Sequence, residues 1–168
     1  MLERFRAGYG RALEVVVIVL MVALAAEVVL GVVFRTVGHS LAWYDEVASI
    51  LLAWLTFYGS ALASCKRAHI GCPEVVEQLA PRPRHAVAVL AQLLVIAFFA
   101  LLGYVGAMVL PVLATDTLVS LPAVPVSAVQ SVIPISAALI LVAEGMTLAD
   151  LLRNGPATGA SALADGLH

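Results

Sequence analysis

Of the 168 residues, 62% are hydrophobic and 12% are charged, about half the charged share of a soluble domain, so the chain reads as a membrane protein. A net charge of -2, with no basic face outside the connections, excludes nucleic-acid binding as a function class. Two cysteines, Cys65 and Cys72, suggest neither a metal cluster nor a disulfide framework and read as free thiols.

Residues 1–12 carry Arg4, Arg6 and Arg11 among small residues and form a basic cytoplasmic arm. The first apolar run, with a span expected at 13–35, holds only Glu14 and Glu27 as charges before Arg35. About 20 apolar residues cross the hydrocarbon core. Ala23, Leu24 and Ala25 would fit the cleavage pattern of a signal peptide, but the run continues to Phe34, beyond a normal signal core.

The second span is expected at 46–65. Trp43 and Tyr44 belong at the headgroup level, wetted at one edge of the ring. Asp45 and Glu46 fall in the first turn, facing the unpaired amides at the positive end of the helix dipole. Their nearness to Arg35 predicts a charge pair closing the first hairpin. Gly59 and Ala63, four apart, predict a face of close helix contact. Lys66, Arg67 and His69 follow the run and meet its last carbonyls.

Between the second and third runs, Pro73 opens a stretch in which Val75, Val76 and Leu79 take one side and Glu74 and Glu77 the other. This predicts a short amphipathic helix lying in the interface, stopped by Pro81 and Pro83. A third span follows at 85–110, without charge and with Gly103 and Gly106 near its end. The loop 111–125 has Pro111, Pro122, Pro125 and a single charge, Asp116, a composition suited to lying against the membrane. The fourth span, 126–152, contains Pro134, which predicts a kink, and Glu144 near its end. Residues 153–168 are rich in Gly, Ala and Ser and are expected to form a disordered cytoplasmic tail.

The fold class is therefore an all-α membrane protein of four transmembrane helices, occupying 13–152, with a short interfacial helix between the second and third. Eight of the nine Lys and Arg residues fall on one side of that arrangement, leaving Arg35 alone on the other. The positive-inside rule then places both termini in the cytoplasm.

Glu27 is the acid read as deepest, eight residues before Arg35 and so about 12 Å away along a helix, too far for a direct pair. Such residues face a partner or water. Its two readings are a proton or ion site and a glutamate paired at a helix contact, the second favoured because no other acid or base is expected at comparable depth. His39, His69, His85 and His168 fall in loops or at run ends, not between spans where a membrane haem is held. No nucleophile, base and orienting acid converge, so neither an enzyme nor a cofactor is expected.

Arg35 closing the first span, Trp43, Asp45 and Glu46 opening the second, Gly59 near its end, then Lys66, Arg67, His69, Ile70 and Pro81 form an ordered pattern. It resembles the small membrane subunit of tripartite ATP-independent periplasmic (TRAP) transporters over nearly the whole chain. Two departures are the displacement of the acid after His69 and Ile70 to Glu74, and aspartate as the first acid of the pair. The resemblance implies a non-catalytic subunit in a bacterial inner membrane, assembled with a large multi-spanning transport subunit and served by a periplasmic substrate-binding protein. Organic acids are the implied substrates, taken up with a coupling ion through the large subunit. The alternatives are a small four-span proton-coupled exporter acting as a homodimer through Glu27, and a membrane anchor of a redox complex.

Overall fold

The computed structural model describes residues 2–39, 41–66 and 81–154. The elements are α1 (Leu2–Thr36), α2 (Tyr44–Cys65), α3 (Pro81–Val109), a 3-10 turn (Val112–Thr115), α4 (Val126–Gln130) and α5 (Val132–Asn154). Four stretches are long and apolar enough to cross a membrane: Phe5–Thr36, Tyr44–Cys65, Pro83–Val109 and Val126–Arg153. The expected interfacial helix at 74–79, the tail from residue 155, Arg67 and His69 lie outside the described residues. Pro81 opens α3, a position where its missing N–H would be unpaired in any case. The basic arm is not separate from the first span, because α1 begins at Leu2 and carries both.

The helices form an open layer in the order α1, α2, α5, α3. α2 packs between α1 and α5, and α5 packs on α3, whereas α1 and α3 do not pack along one another. Of the best apolar stretch in each span, 28% is buried for the fourth but 6% for the first and 0% for the third. The fourth span is thus the internal pivot, and the first and third turn most of their surface outward.

Lipid is as apolar as leucine, so helices in a membrane adhere through close contact instead of the hydrophobic effect. On α1 the inward positions are Gly10, Leu13, Val17, Leu20, Leu24, Glu27 and Gly31, alternating in steps of three and four. That spacing keeps one seam against α2. Glycines close it at both ends. A Cβ at Gly31 would fall within the Tyr44 ring, and one at Gly10 would sit 3.5 Å from Cys65 Sγ. The α3–α5 contact uses the same device, since a Cβ at Gly106 would meet Ile133 Cγ2 at 2.9 Å and one at Gly103 would meet Ala137 Cβ at 3.1 Å. A Cβ at Gly59 would meet nothing within 4 Å; the buried residues of α2 are Ala61, Ser64 and Cys65. The contacts that α2 makes within the chain thus lie on another face than Gly59 and Ala63.

The fault expected at Pro134 appears three residues earlier, at Ser131, where α4 ends and α5 begins. Proline acts on the carbonyl four residues back, here Gln130, which loses its donor. The interruption also frees the preceding carbonyls, and side chains occupy them. Ser131 Oγ donates to the Ala128 carbonyl at 2.6 Å, and Trp54 Nε1 donates to the Val129 carbonyl at 3.0 Å. The ladder resumes with the Ile135 amide on the Ser131 carbonyl. The break thus becomes a clasp between α2 and the fourth span.

Gly31→Ala is expected to destabilise the isolated chain by about 1–3 kcal/mol, the usual cost of overpacking. Gly59→Ala should be neutral or slightly stabilising, because helix propensity favours alanine and nothing is crowded. Thermal unfolding of both variants in detergent micelles checks the contrast.

Candidate functional site

The candidate residues do not converge on one point; they separate to the two ends of the layer. At the hairpin end, where α1 passes into α2, α1 closes with Gly38 at φ 85° and the His39 amide bonded to the Phe34 carbonyl at 3.0 Å. This left-handed cap suits glycine, which has no Cβ to clash. Trp43 stands at the start of α2 and makes no side-chain cap.

Glu46 does more than face a helix dipole. Its carboxylate accepts the Val119 amide at 3.1 Å, the Ser120 amide at 2.9 Å and the Ser120 hydroxyl. It thereby ties α2 to the tip of the loop at 111–125. The loop is folded on itself by the Leu118 amide on the Val124 carbonyl and the Val126 amide on the Asp116 carbonyl, at 3.0 and 2.9 Å. An isolated bridge joins Thr117 to Pro125. Val119 projects from this tip almost wholly exposed. The charge pair expected to close the first hairpin is not formed: Arg35 contacts neither Asp45 nor Glu46, and the Glu46 oxygens are engaged with the loop.

At the terminal end, Arg6 holds three helices. Its Nε and Nη2 donate to the Cys65 carbonyl at 3.3 and 3.1 Å, and Nη1 pairs with Asp150 Oδ2 at 3.3 Å. The Cys65 carbonyl belongs to the last turn of α2, where no intrahelical donor remains. A cation there also meets the negative end of the dipole. Lys66 pairs with Glu14, adding a second link between α2 and α1. Tyr9 O–H donates to the Leu139 carbonyl at 2.7 Å and joins α1 to α5.

Two acids lie at depth. Glu144 is 7% exposed and accepts from Gln92 Nε2 at 2.5 Å; the same nitrogen approaches the Glu144 carbonyl at 3.1 Å. The fourth span runs to Arg153, so Glu144 lies about 14 Å inside it. Glu144 is thus a second acid set within a span, beside Glu27. Glu27 is half-buried on the α1 seam, with Oε1 enclosed and without a hydrogen-bond partner. Among the described residues, no three His, Cys, Asp or Glu side chains gather closely enough to hold a metal ion.

Of the residues singled out in the sequence, Arg35, Trp43, Asp45 and Glu46 share the hairpin end, Lys66 occupies the terminal end, and Gly59 lies between them on α2. Arg6, Tyr9, Gln92, Asp150 and Ser120 were not singled out. A lone amide in the third apolar run and an acid six residues before Asp150 in the fourth were the available signal for Gln92 and Glu144. Ser120 left none.

The family model described as the DctQ component of tripartite ATP-independent periplasmic transporters matches residues 24–154. No curated protein matches the chain.

Replacing Glu46 with alanine is expected to raise hydrogen exchange at the Val119 and Ser120 amides by roughly tenfold or more, since hydrogen bonds to a charged group contribute about 1.5–3 kcal/mol. Amides along α3 should exchange as before. Mass-resolved deuterium uptake on the purified chain checks both.

Proposed function

The chain belongs to the DctQ family of components of tripartite ATP-independent periplasmic transporters, and from that membership we propose that it is a static scaffold for the large transport subunit. It is a small permease subunit with four helices able to cross a membrane. In the proposed role it also helps seat the periplasmic binding protein. Substrate, an organic acid, and the coupling ion pass through the large subunit.

The observation that carries this reading is the open layer itself. A transport core needs polar groups and interrupted helices meeting near the middle of the membrane. Here the interruption at Ser131 lies at the hairpin end, and its freed carbonyls at Ala128 and Val129 are taken by Ser131 and Trp54. Two grooves between helices, of about 250 and 180 Å³, are walled mainly by apolar side chains. Broad outward faces on α1 and α3 suit a subunit that is completed by a neighbour.

Arg6, Lys66, Arg84 and Arg153 at the terminal end favour a cytoplasmic position for both termini. The hairpin end, with Arg35, Trp43, Asp45, Glu46 and the Asp116 loop, then faces the periplasm and the binding protein. The hydrogen bonds from Val119 and Ser120 to Glu46 hold the loop in one shape for that contact. Arg67, His69 and the 74–79 segment would continue the cytoplasmic surface. The unpartnered Glu27 favours a second reading, a homodimeric exporter that moves a proton through that carboxyl.

Expressed together with the adjacent large membrane subunit and binding protein, the tagged chain should carry the large subunit in equal amount. The double reversal Asp45→Lys and Glu46→Lys should reduce uptake of organic acids at least severalfold. Normal uptake with normal complex yield would remove the docking role. A stable homodimer with no large subunit, and efflux lost in Glu27→Gln, would replace the scaffold by the exporter.

A further inference from the structure

The loop at 111–125 sorts its groups by polarity. The Ser120 hydroxyl and the Val119 and Ser120 amides turn inward to Glu46, and the Leu118 amide goes to the Val124 carbonyl. Val119 turns outward and is 94% exposed, and Val112 at the start of the same loop is 72% exposed. They are the two most exposed large apolar side chains among the described residues, more open than those on the outer faces of α1 and α3. Asp116, the single charge of the loop, stands at its base, three residues from Val119.

Glu46 sets the height of that tip. It follows Tyr44 by two residues, about 3 Å along the axis, and helical side chains lean toward the N-terminus of their helix. The carboxylate is thus level with Trp43 and Tyr44, the aromatic pair that belongs among the headgroups. A tip fastened there lies in the membrane surface and does not stand above it. Its backbone is prepared accordingly. An amide at an exposed turn is met by water, and only where water is scarce must the protein supply the acceptor. Here three consecutive amides, at Leu118, Val119 and Ser120, have protein acceptors, and Pro122 has no amide to offer.

We propose that the tip of this loop is a lipid anchor: Glu46 holds it at headgroup level, with Val119 set into the boundary between headgroups and acyl chains. A soluble partner is the other candidate cover. It would leave Val119 in water whenever it is absent, and it would have to reach a tip recessed to the first turn of α2. The anchor does not depend on the scaffold reading or on which side of the membrane the hairpin end faces. It gives the base of the loop, where Asp116 is exposed, a fixed height at the aqueous boundary.

The test uses the full chain in liposomes of phosphatidylcholine and phosphatidylglycerol. A nitroxide amino acid replaces Val119, whose exposure means that nothing is displaced, or Leu94 on the outward face of α3 as a marker of the hydrocarbon. Collisions of each label with oxygen, which concentrates in the bilayer, are compared with collisions with a water-soluble nickel chelate. The label at Val119 should favour oxygen severalfold, as the label at Leu94 does. In Glu46→Ala, which frees the tip, the preference at Val119 should fall severalfold toward the chelate, while Leu94 is unmoved and reports the spans intact. Preference for the chelate at Val119 with Glu46 in place overturns the anchor, and loss of that chelate access on adding the large subunit and binding protein would assign the tip to protein docking. An oxygen preference at Val119 that survives Glu46→Ala overturns the holding role of Glu46.

Discussion

Hydrocarbon offers no hydrophobic advantage to helices that leave it for one another, and this constraint governs the layer. Contact must come from surfaces that fit closely enough to gain dispersion energy at many atoms. Gly31 provides that fit at the hairpin end of the α1–α2 seam, Gly103 and Gly106 along α3–α5. Between its glycines the α1 seam is mostly ordinary Leu and Val at heptad spacing. Removing side chains at these three points helps long helices stay side by side without a closed core.

The same medium punishes unpaired backbone groups, and the fourth span shows how the penalty is turned to use. Pro134 removes one donor, the ladder breaks at Ser131, and freed carbonyls must be met. Trp54 reaches from α2 to one of them. A local defect thereby fixes a neighbouring helix at a defined height. At the other end the last turn of α2 presents the Cys65 carbonyl, and Arg6 meets it while also pairing with Asp150. In each case an orphaned carbonyl becomes the point at which a second helix is held. The layer is pinned top and bottom by the groups a helix cannot satisfy within itself.

How far this was legible in the sequence follows from range. The four runs, the acids opening α2 and the small residues of α3 are local signals, and the structure has the helices where they point. Pro134 announced a fault, but its position depended on the carbonyl four residues earlier. The Arg35 pairing failed because nearness along the chain was taken for nearness in space. Glu46 turns instead to Val119 and Ser120, more than seventy residues away. Gly59 lies off the face that α2 buries within the chain. A small residue shows that a helix can be approached, and only the arrangement of the others decides from which side. Arg6 looked like one cation of a basic arm until the ends of α2 and α5 were brought beside it.

Glu27 and Glu144 form a matched comparison, since each lies about 14 Å from the end of its span. Glu144 belongs to the pivot helix and is enclosed by its own chain, where Gln92 supplies the donor. Glu27 belongs to an outer helix whose surface is left largely open. Glu27 Oε1 is enclosed as well, but no neighbouring span among the described residues brings it a donor. The satisfied acid sits at the packed centre of the layer and the unsatisfied one on its outer helix, so what separates them is whether a neighbouring span supplies a donor.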